Sequence, residues 1–427
     1  MAVRVVVVGG GLAGCGAALA ARKAGAEVSL LERSDMLAGV AVRTGDTRGN
    51  GWFVGQHELN FLGGGELGAL MDSIKMYEGV KFPDAQKHAF IFNTGLIEPR
   101  LRRALQDAGI TVHLKSRAMD VVKEKDRLRA IKLEDGRLVE GEGFVDCTGT
   151  RGGLSFCIKY GKGCVMCLIR CCSFGDRVSM VEKAGGKEWH RIRGDGTPGR
   201  ISTGLAVFKD TLAPWLKEKL QREGLMWIPV PPELVDLSKL GSMGAGRSRE
   251  FVENLIIGNI GPVAKIFGFL NVSLVELRRI PGFENVHIEH PGSARCGHVS
   301  AIAMAFRDSS LKVDGFENLF CAGDKAGETS VDAAMLTGYV AGHNAARRAA
   351  GRAPLILPRN LALGDWMAFA AEKYCSGEAQ RKASYVMSRG EYWERMQQTG
   401  LYTTDVDRIR KRVEEAGLTG VMSSRVV

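Results

Sequence analysis

Residues 3–8 read Val-Arg-Val-Val-Val-Val and run straight into Gly9-x-Gly11-x-x-Gly14. The β-branched run suits a strand buried on both faces. The glycine spacing then constrains what can follow. The first glycine permits a tight turn, the second lets another group approach the backbone, and the third lets helix and strand pack closely. Residues 13–24 are rich in alanine and predict a helix that stops near Gly25, and residues 26–31 predict a second strand ending at Glu32. A βαβ unit of this kind aims the positive end of a helix at a pyrophosphate. Its acid is placed to accept hydrogen bonds from ribose hydroxyls. The candidate contacts to a dinucleotide are therefore Gly9, Gly11, Leu12, Ala13, Gly14, Glu32 and the adjacent Arg33.

Two later segments complete an ordered set. Residues 34–66 are rich in glycine and read as an irregular, ligand-wrapping stretch. Residues 97–108 form an amphipathic pattern with Gly109 as its stop, which predicts a helix. Strand-like runs follow at 110–115, 118–123 and 128–133, with Asp135-Gly136 as a hairpin turn between two of these runs. A further strand, 143–147, leads into Thr148-Gly149. A strand at 317–322 ends in Gly323-Asp324, followed by a helix over 329–350. A carboxylate at such a strand end suits the ribityl chain of a flavin. A helix N-terminus near Ser330 and Val331 would stabilise negative charge on the reduced ring. Ala118, Thr148, Gly149, Gly323, Asp324, Ser330 and Val331 join the candidate contacts, and the order of the motifs favours FAD over NAD. Gly241-x-x-Gly244-x-Gly246 has no strand before it, so a second nucleotide-binding unit is not expected.

The order of these segments resembles the FAD-dependent oxidoreductases of the glutathione-reductase-like class. GGGLAGCGAALAARKAG at the N-terminus and NLFCAGDKAGETSVDAAMLTGYVAGHNAAR from Asn318 resemble two tRNA-modifying flavoprotein families. These are the glucose-inhibited division protein A family and the folate- and FAD-dependent tRNA methyltransferase. The middle, LIEPRLRRALQDAGITVHLKSRAMDVV with FVDCTGT, resembles general FAD-dependent oxidoreductases. The expected fold is α/β, a three-layer FAD/NAD(P)-binding (Rossmann-like) domain with an inserted mixed α+β second domain. Residues 1–150 and 315–350 would form the discontinuous FAD-binding domain. Residues 151–314 would form the inserted cysteine-containing and substrate domain, and 351–427 a helical C-terminal tail.

Five of the ten cysteines fall within residues 157–172. In a reducing compartment such clustering points to metal or redox chemistry more than to disulfides. Cys157, Cys164, Cys167 and Cys171 are spaced to wrap a [4Fe–4S] cluster, with Cys172 as the alternative fourth ligand. A redox dithiol and a set of small buried thiols are the other readings. Arg295, Cys296 and His298 lie in a polar loop that could contact substrate, and His57, His88 and His190 have no partner visible in sequence.

No run reaches the ~18 apolar residues needed to span a bilayer, and the chain goes directly into a strand without a signal peptide. We therefore expect a cytoplasmic protein with no membrane partner. The net charge of +10 is spread along the chain, and such an excess attracts phosphates, nucleic acid or anionic substrates. The expected function is FAD-dependent redox chemistry through flavin N5, with a small-molecule substrate or an electron carrier as partner. A flavin-dependent RNA-modifying enzyme is the alternative, and a non-catalytic flavin-bearing interaction protein is the third reading. The sequence leaves oligomeric state and substrate open.

Overall fold

The β-branched run becomes β1 (Arg4–Val8), with Val5, Val6, Val7 and Val8 all buried. This computed structural model describes residues 3–47, 49–82, 87–149, 178–190, 200–201, 205–237, 249–267, 273–289, 300–301, 303–327, 330–375, 387–388 and 390–427. β1 leads through α1 (Leu12–Lys23) to β2 (Glu27–Leu31). The sheet is completed by β3 (Thr111–His113), β4 (Gly143–Asp146) and β5 (Leu319–Cys321). It is five-stranded and parallel, in the order β5-β4-β1-β2-β3. The chain winds outward from β1 to β3, then crosses to β4 on the other side of β1. Ligands of open α/β sheets bind at such a switch point, beyond the carboxyl ends of the strands. Every candidate cofactor residue of the opening motif lies at that edge.

An antiparallel meander (Ala118–Glu124, Arg127–Leu133 and Leu138–Glu140) adds a further layer to the sheet and its helices. Asn318 ties the meander to the end of β5. Its side-chain oxygen accepts from the Leu128 N–H at 2.9 Å, and its amide donates to the carbonyls of Leu128 and Glu142 at 2.9 and 3.0 Å.

The stretch expected to be irregular is partly helical: α2 (Asn50–Phe61) occupies much of it. The glycines that suggested a loop serve close packing instead. A Cβ on Gly51 would lie 2.4 Å from the Met387 carbonyl oxygen, and one on Gly55 would lie 2.6 Å from the Leu336 side chain. The same device joins α1 to α3 (Val331–Ala349). Cβ atoms on Gly338 and Gly342 would fall 2.2 and 2.0 Å from the carbonyl oxygens of Ala13 and Ala17. The two helices therefore meet backbone to backbone, Ala13 and Ala17 of α1 against Gly338 and Gly342 of α3.

The residues after 178 build a separate antiparallel sheet of four strands, ordered Leu205–Val207, Ala264–Ile266, Asn254–Asn259, Leu225–Pro229. The helix Pro214–Glu223 packs on it, and Val207, Leu216, Leu220, Ile257, Ile266 and Phe283 form its own core. A small sheet of Asp46–Thr47, Phe90–Phe92 and Lys75–Glu78 packs beside it through Phe82, Ile91, Ile256 and Phe267. The C-terminal helices, α4 (Ala362–Cys375) and those at Gly390–Gln398 and Val406–Glu415, bury Trp366, Met396, Ile409 and Val413 in the same core as the parallel sheet. Among the described residues no helix is long and apolar enough to cross a membrane.

Candidate functional site

The three glycines of the first turn have three different surroundings. Gly9 has φ +107°, and a Cβ there would sit 2.3 Å from the Cys147 carbonyl oxygen. Gly14 is closed off more severely, with a Cβ 1.8 Å from the Gly9 carbonyl oxygen. Gly11 faces open space, and a Cβ there would meet nothing within 4 Å. It is also the N-cap of α1, extended and with no side-chain cap. The first N–H groups of a helix lack intrahelical partners, so α1 opens on an electropositive end without a side-chain cap, beside a cradle that a side chain at Gly11 would enter. Those features fit the pyrophosphate of a dinucleotide.

Glu32 is buried at the end of β2. Its Oε2 accepts from the Gly10 N–H at 2.8 Å, and its Oε1 accepts from the Ser34 N–H and hydroxyl, each at 2.8 Å. A carboxylate has about four lone-pair positions, so room for a ribose hydroxyl remains on Oε2. Arg33 is partly exposed beside it. The Lys115 and Ser116 N–H groups donate to the Ser34 and Glu32 carbonyls at 2.7 and 2.8 Å, which ties the chain just before buried Ala118 to the end of β2.

The other two segments converge on the same edge. Gly323, at φ +66°, would place a Cβ 2.9 Å from that of Ala13, and a Cβ on Gly149 would lie 3.7 Å from Asp324 Oδ2. Thr148 is oriented by Asp146, whose Oδ1 accepts from its N–H at 3.0 Å and from its hydroxyl at 2.7 Å. Ser330 caps α3 by accepting from the Ala333 N–H, and Val331 is the first residue of that helix. The structure thus brings the opening turn, Thr148-Gly149 and Gly323-Asp324 to one place. FAD bound there would supply a flavin that accepts or gives a hydride or electrons at N5.

Several residues at this edge were not foreseen. Lys325 and Asp146, both fully buried, form an ion pair at 3.4 Å, and Lys325 also pairs with buried Glu188. Arg307, 1% exposed, donates to the Ala326 and Met367 carbonyls at 2.9 and 2.6 Å. Tyr374 donates to the Gly327 carbonyl at 3.0 Å. Lys325 directly follows the motif Asp, but nothing in a sequence distinguishes a buried lysine from a solvated one.

Cys15, Cys147 and Cys321 are free and buried around the first turn and the ends of β4 and β5. Burial pushes the Cys15 and Cys321 thiols up to about 12 and raises Cys147 as well, so these are packing groups rather than nucleophiles. His57 and His88 are both lowered by burial, and they flank Phe53 in a partly exposed aromatic group. Cys157, Cys164, Cys167, Cys171, Cys172, Arg295, Cys296, His298 and the 241–246 glycines lie outside the described residues. Among the described residues no group of His, Cys, Asp or Glu could hold a metal ion.

Comparison with known proteins agrees with this geometry. Residues 4–154 match the family model described as FAD dependent oxidoreductase, and residues 270–353 match that of Glucose inhibited division protein A. The chain therefore carries an FAD-binding oxidoreductase domain, and that domain is related to the GidA/MnmG-type flavoproteins. The tRNA uridine 5-carboxymethylaminomethyl modification enzyme MnmG of Synechocystis sp. is 30% identical over 122 residues, 29% of this chain and 18% of that protein. The protein of the same description from Mycoplasma mycoides is 34% identical over 91 residues, 21% of this chain and 14% of that protein. These matches span less than one fifth of the curated relatives. Aquifex aeolicus GidA in its form II crystal has the same fold, with a TM-score of 0.66, 18% identity, and coverage of 97% of this chain and 76% of that one.

Proposed function

We propose that this protein is a flavin-dependent RNA-modifying enzyme, with tRNA as the substrate class to test first. The observation that carries the reading is the match of residues 270–353 to the glucose-inhibited division protein A model. That segment holds the Gly323–Gly327 turn and all of α3, and not the Gly9–Gly14 motif that dinucleotide-binding chains of many activities carry. The two curated relatives are named for tRNA uridine modification. The net charge of +10 supports binding to a phosphate backbone. In this reading the Gly9–Gly14 turn and Glu32 hold the adenosine half of FAD, Asp324 orients the ribityl chain, and the inserted sheet presents RNA to the flavin. This reading displaces general electron transfer as the first choice, and the cytoplasm remains the compartment we assign.

The test is binding of purified, flavin-loaded protein to tRNA at rising salt, followed by nucleoside analysis of that RNA after turnover. Displacement of several phosphate counterions makes affinity fall ~10³-fold or more between 50 and 200 mM salt. Affinity that is absent at low salt, or RNA left chemically unchanged under every reductant, contradicts the proposal. Within the same reading, the spacing of Cys157, Cys164, Cys167 and Cys171, with Cys172 in reserve, supports a second redox element, a [4Fe–4S] cluster or a dithiol. Iron and sulfide analysis of anaerobic protein separates the two. A protein free of iron leaves the dithiol, which thiol counting before and after reduction then tests.

A further inference from the structure

Lys325 is 0% exposed, as are the carboxylates of Asp146 and Glu188 that it meets. Such a group is costly to bury. Replacing a buried ion pair with apolar side chains is often neutral or stabilising, so stability alone does not account for it. Its position is more informative. Asp324 and Gly149 approach each other at the cofactor edge, and their neighbours Lys325 and Asp146 pair at 3.4 Å. Asp146 is the hub. Its Oδ1 fixes Thr148, while its Oδ2 accepts from the Met180 and Val181 N–H groups at 2.9 and 3.1 Å, at the start of the helix Met180–Ala184. Lys325 Nζ also donates to the Ser179 hydroxyl and to Glu188, whose strand pairs with Ala303–Ala305.

The turn that carries Lys325 is pinned at both ends by other groups. The Gly323 N–H donates to the Thr337 hydroxyl at 2.9 Å, while Arg307 and Tyr374 hold the Ala326 and Gly327 carbonyls at 2.9 and 3.0 Å. Lys325 reaches across to Asp146, the last residue of β4, and to Ser179 and Glu188 of residues 178–190. We propose that Lys325 is a positioning residue for the FAD site. Its ammonium staples the Gly323-Asp324 turn and the Thr148-Gly149 loop to the segment 178–190, so the spacing FAD meets depends on that segment being docked. The proposal rests on FAD binding at this edge and not on RNA as the substrate.

The experiment compares the full-length, FAD-loaded wild type with E188M/K325M and with E188Q. The double change removes the ammonium together with the carboxylate it pairs with most closely, and Asp146 keeps its other donors, so the fold should survive. Melting temperature, the rate of FAD release on dilution and the visible circular dichroism of bound flavin are measured on each. We expect E188M/K325M to melt close to the wild type, to release FAD about tenfold faster and to show an altered flavin signal. If the double variant does not fold, E188Q should still release FAD severalfold faster than wild type. Wild-type release and an unchanged flavin signal in a folded variant overturn the proposal. A wild-type protein that binds no FAD overturns it too, by removing the cofactor site itself, whatever its behaviour toward RNA.

Discussion

The parallel-sheet half and the inserted antiparallel sheet are held together in different ways. In the first, backbone meets backbone: Gly9 against Cys147, Gly14 against Gly9, Gly338 and Gly342 against Ala13 and Ala17. In the second, ordinary apolar side chains such as Leu216, Ile257, Ile266 and Phe283 fill a core. A backbone contact at 2 Å from an absent Cβ admits one residue type, whereas an apolar core accepts many repackings of similar volume. The cofactor half should therefore tolerate almost no change at those positions, and the insert should tolerate many.

The largest expected effect comes from breaking the helix–helix contact. Gly342→Val would drive a side chain into the Ala17 carbonyl, and α1 and α3 would separate. The loss should reach ~3 kcal/mol or more, beyond the usual cost of overpacking, because the obstacle is backbone. Leu216→Met in the insert should cost under ~1.5 kcal/mol. Denaturant unfolding of the two variants checks the contrast, and equal losses would erase it.

A second change separates binding from folding within the cofactor half. A Cβ on Gly11 meets no atom within 4 Å, so Gly11→Val should cost no more than ~1 kcal/mol of stability without FAD, mostly through the weaker N-cap of α1. FAD content should nevertheless collapse, since the side chain fills the cradle. Full FAD content in this variant would show that the cradle is not where the pyrophosphate lies.

A further effect, spread over several pH units, depends on Glu58. Glu58 of α2 is fully buried and accepts from the Ala362 and Leu363 N–H groups at 2.7 and 2.9 Å, at the start of α4. Burial pushes its carboxyl from 4.5 up to about 7, against those two bonds and the attraction of Arg412. Folding raises its proton affinity, so its contribution to stability is complete below about pH 4.5 and is lost as pH rises through about 7. The range is at most ~3 kcal/mol. Glu58→Gln should flatten stability across that window, and an unchanged pH profile would assign the slope to other groups.

These contrasts also explain what could be read from the sequence. The opening βαβ unit, the first two strands of the meander and the long helix after Gly323-Asp324 were legible because local rules dictate them, whereas the Asp135-Gly136 turn leads from Arg127–Leu133 into Leu138–Glu140, a strand too short to stand out. Glycine is obligatory at the tight turn, and periodicity is strong in the flanking elements. α2 was misread because Gly51 and Gly55 look like loop residues unless Met387 and Leu336, more than 280 residues away, are known to press on them. Lys325, Glu188, Arg307 and Glu58 were missed for the same reason. Each is an ordinary charged residue whose burial is decided by distant segments. The four-stranded insert carries no motif, and its function had to be argued from the domain around it.

The central claim is that this edge of the sheet holds FAD through the Gly9–Gly14 turn, Glu32 and Asp324. Heat release of the cofactor from purified protein, followed by chromatography against standards, tests it most directly. The account predicts FAD, because Glu32 at the end of β2 serves an adenosine ribose. Recovery of FMN alone, or of no flavin from protein reconstituted with FAD, would contradict it.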